Sequence, residues 1–300
     1  MPRFLDARAT AQALPAAAVA QEIAALLVDR SVQVPERLVQ ALPGGGSLFV
    51  MPALDGHIAI TKLITFTPAN AGTERPTIQG DVVVFDAATG QRVLVLDGPA
   101  VTAQRTAAVS LLAAQRLAPS ADGPLLIVGA GVQGRAHLEA FAAGLGVREV
   151  HVASRTVQSA QALVDHARAL GLHAQVAADA DAVLARCPLV VTCTPASQVV
   201  LRGPVRDDAF VAAVGAFTPK MVELAPALCR DIAARGRIVL DTPDARHEAG
   251  DLLQAGLEVG TLPTLRDVVA GDVRGGGPVL FKSCGWAGWD LAAARCALRA

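Results

Sequence analysis

Tyrosine is missing altogether from this 300-residue chain, aromatics make up 3% of it, and neither sign of charge dominates: 26 lysines and arginines face 27 acids, for a formal net charge of -1. Without a basic surplus or an aromatic stripe there is no electrostatic footprint for nucleic acid, and without an acidic block there is no solvating tail. The five cysteines (Cys187, Cys193, Cys229, Cys284, Cys296) are odd in number and never spaced CxxC, which argues against a disulfide framework and against a zinc site. The six histidines are scattered, so nothing in the spacing asks for a metal. No apolar run reaches the length of a membrane span. The opening MPRFLDARATAQALP places charged and polar residues where a secretory leader needs an apolar core. GxSxG is absent, which leaves serine-hydrolase chemistry with little support. The expectation is a soluble, cytoplasmic protein with no metal, no nucleic-acid partner and no membrane partner.

What is present is apolar: 52% of the residues are hydrophobic, enough in 300 for one large domain or two modest ones. PAAAVAQEIAALLVD, residues 15 to 29, reads as a helix with Pro15 at its first turn. Strand-like runs follow: VQVPERLVQ, SLFVMPA, HIAITKLITF, then DVVVFD and RVLVLDG joined by AATGQ as a hairpin. A helix is predicted over roughly 101–117. From Gly123 strands and helices alternate, with LLIV, EVHVA, HAQVA, PLVVTCT, FVAAVGA and RIVLDT as the strands. That is the pattern of a parallel sheet covered on both faces. The closing PVLFKSCGWAGWDLAAARCALRA ends in a helix too late to extend that sheet, and it is expected to return to the first domain.

VGAGVQG carries Gly129, Gly131 and Gly134 as GxGxxG, directly after a strand and at the opening of a helix. In that context the three glycines serve, in turn, a tight turn, close backbone approach to a pyrophosphate, and close helix packing, with the helix N-terminus offering N–H groups to the phosphates. Val132 and Gln133 lie between the second and third glycines. The next strand ends in Ala153-Ser154-Arg155-Thr156, where an acidic residue would hold the ribose of NAD. Ser154, Arg155 and Thr156 suit a 2′-phosphate instead, so NADPH is favoured over NADH.

A second anion site is expected in the first half. Lys62, in AITKLITFTP, shares a strand face with Ile60, Ile64 and Phe66, and a buried ammonium is costly unless a negative group meets it. Arg105, in VTAQRTAAVSLLAAQRLA, falls on the apolar side of its helix, within the first turn or so. There the helix dipole opposes a cation. An anion set between Lys62 and Arg105 would resolve both. Arg37, in the strand VPERLV, is a third candidate. The blander reading is an edge or snorkelling lysine and arginines paired with local acids.

LDGPAVTAQRTAAVSLLAAQRLA, VGAGVQGRAH, ASRT, ITKL, EAGDL and FKSCG together resemble the ornithine cyclodeaminase and mu-crystallin family over nearly the whole chain. Within it the likeness is strongest to reductases of Δ1-pyrroline-2-carboxylate and Δ1-piperideine-2-carboxylate. The resemblance implies an α/β fold in which a doubly wound Rossmann sheet is inserted in a discontinuous α+β domain that binds substrate and forms a homodimer. The expected bounds are 119–283 for the Rossmann domain, and 1–118 with 284–300 for the other. It also implies that Lys62, Arg105 and Arg37 hold the carboxylate and ring nitrogen of a small cyclic imino acid. Ser154 to Thr156 would hold the adenosine phosphate, with Thr192, Cys193, Thr194, Val214 and His247 near the rest of the cofactor. One departure separates activities: where ornithine cyclodeaminases place an aspartate, this chain has Ala216-Phe217-Thr218. A preformed cyclic ketimine, reduced by hydride to L-proline or L-pipecolate, suits that site better. Ornithine cyclodeamination, amino acid dehydrogenation and a non-catalytic, crystallin-like NADPH-binding role stay open as alternatives.

Overall fold

The structure, a computed structural model, describes residues 2–70, 73–271, 273 and 275–300. It divides into two compact units, Met1–Thr106 with Trp286–Ala300, and Ala107–Gly285.

The first unit is built on a six-stranded sheet in the order β1-β6-β5-β4-β3-β2. In chain order its elements are β1 (Arg3–Leu5), α1 (Ala7–Ala13), α2 (Ala16–Val28), β2 (Leu38–Ala41), β3 (Ser47–Leu54), β4 (Ile58–Phe66), β5 (Ile78–Asp86) and β6 (Arg92–Asp97). β2 to β6 pair antiparallel, and β1 joins the far edge in parallel with β6, a strand too short to be read from the sequence. The predicted hairpin is β5–β6. Alternation decides the two faces. Ile60, Lys62 and Ile64 of β4, Met51 and Ala53 of β3, and Val82 and Val84 of β5 share the buried face. Leu48, Val50, Leu63, Val83 and Phe85 point the other way and stay half-buried or exposed.

α3 (Gly98–Leu117) follows β6 without a break, and the division between units falls inside it, at 106/107, rather than at its end as expected. It starts three residues earlier than predicted, because the Asp97 carboxylate accepts the Ala100 N–H at 2.7 Å and opens the helix there. Arg105 is therefore the eighth residue of α3, two turns in, where the dipole hardly opposes it. Arg37 also sits differently: it is in the irregular segment just ahead of β2 and half-buried.

The second unit carries a seven-stranded, all-parallel sheet. Its elements are β7 (Leu125–Val128), α4 (Val132–Leu145), β8 (Glu149–Ala153), α5 (Val157–Ala169), β9 (His173–Val176), α6 (Ala180–Leu184), β10 (Leu189–Thr192), β11 (Ser197–Leu201), β12 (Phe210–Ala213), β13 (Val222–Leu224), α7 (Pro226–Arg235), β14 (Arg237–Leu240), α8 (Gly250–Gln254), α9 (Leu265–Ala270) and β15 (Val279–Lys282). The order β14-β15-β12-β10-β7-β8-β9 reverses direction between β7 and β10, the crevice at which such sheets bind nucleotides. β7, β10, β12 and β15 are buried along their whole length. Each fully buried aliphatic side chain there is worth about 1.5–3 kcal/mol. The sheet is thus a doubly wound Rossmann sheet. Two features are not evident in the residue pattern: β15, inserted between β12 and β14, and a small parallel pair β11–β13.

The chain then returns to the first unit as α10 (Ala287–Arg299), which packs on β3, β4, β5, α1 and α2. Its face is almost wholly buried, Trp289 included, and Asp290 lies in its first turn. Among the described residues no single helix is long and apolar enough to cross a membrane.

Candidate active site

The glycine motif sits where its chemistry needs it. Gly129 leaves β7 at φ +113°, a conformation closed to L side chains without strain. A Cβ on Gly134 would lie 2.1 Å from the Gly129 carbonyl oxygen, so this glycine lets α4 close onto the strand. Around Gly131, by contrast, an added Cβ would meet nothing within 4 Å: the backbone at the N-cap of α4 faces open space. That space is a cavity of about 730 Å³ within the second unit. Gly129, Gly131, Ser154, Arg155, Thr156, Cys193 and Thr194 all line it. Thr156 caps α5, its hydroxyl accepting the Ser159 N–H at 3.2 Å, and Arg155 stands exposed at the rim. Asp179 is the one carboxylate among the described lining residues, and its Oδ1 is engaged by the Asp181 N–H. The lining therefore fits a dinucleotide: an N-terminal helix turn with open backbone, a free-standing guanidinium and hydroxyls beyond β8, and no carboxylate at that strand end.

Other residues named from the sequence are not in the lining. Val132 is exposed, Gln133 and Gly134 belong to the first turn of α4, Thr192 is buried in β10, and Val214 donates its N–H to the Thr192 carbonyl. His247 is exposed, its Nε2 accepting from Arg246 Nε at 3.0 Å.

Behind the lining is a network that sequence reasoning missed. The Glu223 carboxylate accepts the Thr194 N–H and hydroxyl on Oε1, at 2.7 and 2.9 Å, and the Gly215 and Ala216 N–H groups on Oε2, at 2.7 and 3.1 Å. It thereby ties together the two loops that leave β10 and β12. Asp251 accepts the N–H groups of Glu223 and Leu224, and its other oxygen meets Lys282 Nζ at 2.8 Å. Lys282 donates in turn to the Ala216 carbonyl oxygen at 2.5 Å. Burial pushes the Glu223 acid up. Burial also works against the Lys282 charge, yet Asp251 and Glu223 hold its pKa above the usual value. No sequence spacing advertises such a network, since most of its donors are backbone N–H groups.

A Ser–His pair also occurs in this unit and is not catalytic. His137 Nδ1 lies 2.8 Å from the Gln133 carbonyl, so that nitrogen carries the proton and Nε2 accepts the Ser110 hydroxyl at 2.9 Å. Both residues are fully buried, and burial lowers the His137 pKa to about 4, so the pair is a neutral pin between α3 and α4.

In the first unit Lys62 and Arg105 do converge, and on a carboxylate of the protein itself. Asp290 Oδ2 lies 2.8 Å from Lys62 Nζ, and Asp290 Oδ1 3.2 Å from Arg105 Nε. The three residues are 1%, 6% and 0% exposed. The expected anion between the two cations is thus supplied by α10. One carboxylate between two cations leaves a formal surplus of one positive charge in an apolar shell of Ile60, Ile64, Met51 and Val82. Burial lowers the Lys62 pKa to about 8; Asp290 opposes that shift, while Arg105 and Arg37 add to it. Asp290 went unread because it stands in WAGWDLAAA, where one acid in a first helical turn looks like an ordinary dipole partner.

The model of the ornithine cyclodeaminase/mu-crystallin family matches residues 9–298. The chain is 40% identical over 298 residues to Delta(1)-pyrroline-2-carboxylate reductase 1 of Burkholderia multivorans, covering 97% of this chain and 94% of that one. It is also 40% identical over 264 residues to the Delta(1)-pyrroline-2-carboxylate/Delta(1)-piperideine-2-carboxylate reductase of Azospirillum brasilense, covering 88% and 83%. In fold it is similar to the Thermococcus litoralis Delta(1)-pyrroline-2-carboxylate reductase solved with NADH and L-proline. The TM-score there is 0.84 at 22% identity, over 98% of this chain and 93% of that one.

Proposed function

The chain belongs to the ornithine cyclodeaminase/mu-crystallin family, and on that premise we propose that it reduces the C=N bond of a small cyclic ketimine carboxylate, Δ1-pyrroline-2-carboxylate or Δ1-piperideine-2-carboxylate, to L-proline or L-pipecolate. The observation that carries this reading in the structure is the surplus cation among Lys62, Arg105 and Asp290. A buried group of net charge +1 is an acceptor for one more carboxylate, and a ring carboxylate supplies it.

A reduced nicotinamide dinucleotide, when bound, supplies the hydride. The cavity beside Gly129, Gly131, Ser154, Arg155, Thr156, Cys193 and Thr194 is the place we assign to it. The preference for NADPH over NADH is supported by Arg155 and Thr156 and by the missing carboxylate beyond β8. Arg37 and Arg105 would neutralise and orient the substrate carboxylate, so that the electron-poor C2 is held in one pose. Lys62, as an ammonium, would hold a proton at the ring nitrogen, because an iminium accepts hydride far more readily than a neutral imine. The half-exposed apolar side of the six-stranded sheet, with Leu48, Val50, Leu63, Val83 and Phe85, supports a homodimer. The decisive assay follows NADPH absorbance with the five-membered and six-membered imines side by side, and repeats it with NADH. Oxidation by neither imine would refute the reading.

A further inference from the structure

We propose that Asp290 is a positioning residue that keeps Lys62 in its ammonium form and in register with Arg105, so that the trio presents one surplus charge to the ring carboxylate and one proton to the ring nitrogen. The inference rests on the function proposed above and adds to it the group that sets the protonation of the site.

The geometry carries it. Asp290 is in the first turn of α10, fully buried, and its two oxygens face different cations, Lys62 at 2.8 Å and Arg105 at 3.2 Å. The other charged group acting on Lys62 is Arg37, from the segment ahead of β2. Lys62's cross-strand neighbours, Met51 on β3 and Val82 on β5, carry no charge. Three further acids pair with other residues of α10: Glu22 of α2 with Arg299, and Asp29 and Asp55 with Arg295. Asp290 is thus the acid that offsets the mutual repulsion of Lys62 and Arg105. With Lys62 titrating near pH 8, the trio holds +1 below that pH and is neutral above it. A carboxylate guest and a proton for its nitrogen are both accommodated only on the acid side.

The test uses the intact protein and exploits its three lysines (Lys62, Lys220, Lys282), which give three resolvable signals in a sample labelled with [ε-13C]lysine, Lys62 being assigned by its loss in Lys62→Met. The Lys62 midpoint should lie near pH 8, fall by about one unit or more in Asp290→Asn, and rise in Arg105→Gln, where a repelling cation is removed. In turnover with a cyclic imine, the basic limb of kcat/KM should move to lower pH in Asp290→Asn, while the dissociation constant for NADPH stays within about two-fold. A Lys62 midpoint that ignores Asp290→Asn overturns the inference, as does a lower rate at every pH with an unmoved limb. If Asp290→Asn does not fold, Asp290→Ser decides by the same fall in the Lys62 midpoint. Should the wild type reduce no cyclic imine, the functional reading fails; the lysine titration still judges whether Asp290 controls Lys62.

Discussion

Each unit buries one lysine against one aspartate at 2.8 Å, and the two lysines respond in opposite ways: Lys62 is pulled down to about 8 and Lys282 is held above its usual value. Burial disfavours the charge of both, and the third member of each cluster differs in sign. Around Lys62 it is a cation, Arg105; around Lys282 it is a second acid, Glu223, joined by the Ala216 carbonyl oxygen. A buried ion pair is therefore inert or poised according to the charge beside it. The second unit's cluster ties two loops together. In the first unit's trio two cations share one carboxylate.

The comparison can be broken from either side. The largest effect is expected at the second unit's cluster: Asp251→Ala leaves Lys282 buried without its partner and frees the Glu223 and Leu224 N–H groups, which should cost about 3–5 kcal/mol of stability in urea unfolding. A loss under about 1 kcal/mol would mean that this cluster does not tie the loops. Next comes the poised side. Lys62→Ala should lower kcat/KM for a cyclic imine on the order of 10²–10³-fold while NADPH fluorescence binding survives. Equal loss of cofactor binding would erase the contrast between the units. Arg155→Ala sharpens it further. An exposed guanidinium that meets a 2′-phosphate should, when removed, shift the NADPH-to-NADH preference about ten-fold or more and leave stability untouched. The smallest effect is in the alkaline stability curve. Lys62 has a folded pKa below its unfolded value of 10.5, so between about pH 8 and 10.5 the unfolded chain binds more protons and this group makes stability rise with pH. Lys282 has the raised value, so its contribution is present below the unfolded pKa and is lost as pH rises through the folded one. Lys62→Met should flatten the first slope, as read by unfolding at pH 7, 8.5 and 10.

Legibility in the sequence followed the range over which each feature is encoded. GxGxxG works through neighbours a few residues apart, and Gly129, Gly131 and Gly134 stand in a strand-to-helix turn of the expected kind. The burial of Lys62 was readable because strand alternation is local. Arg105 was readable as inward-facing, but its place along the helix was not, because Asp97 starts α3 early. β15 was not legible: four residues after a glycine-rich stretch look like a linker, and only insertion between β12 and β14 makes them a strand. Glu223 was invisible because backbone groups have no sequence signature.

The residue pattern by itself determined the parallel sheet, the dinucleotide turn, the absence of a carboxylate after β8 and the presence of a cation on an apolar face. Each of these follows from backbone geometry or side-chain alternation within a short window. Only the tertiary structure decided what that cation meets. Lys62 and Asp290 stand on β4 and on the last helix, and their charges couple because α10 closes back over the sheet. In water an ion pair at this spacing would count for little; brought together in an apolar shell, it sets the protonation of the site.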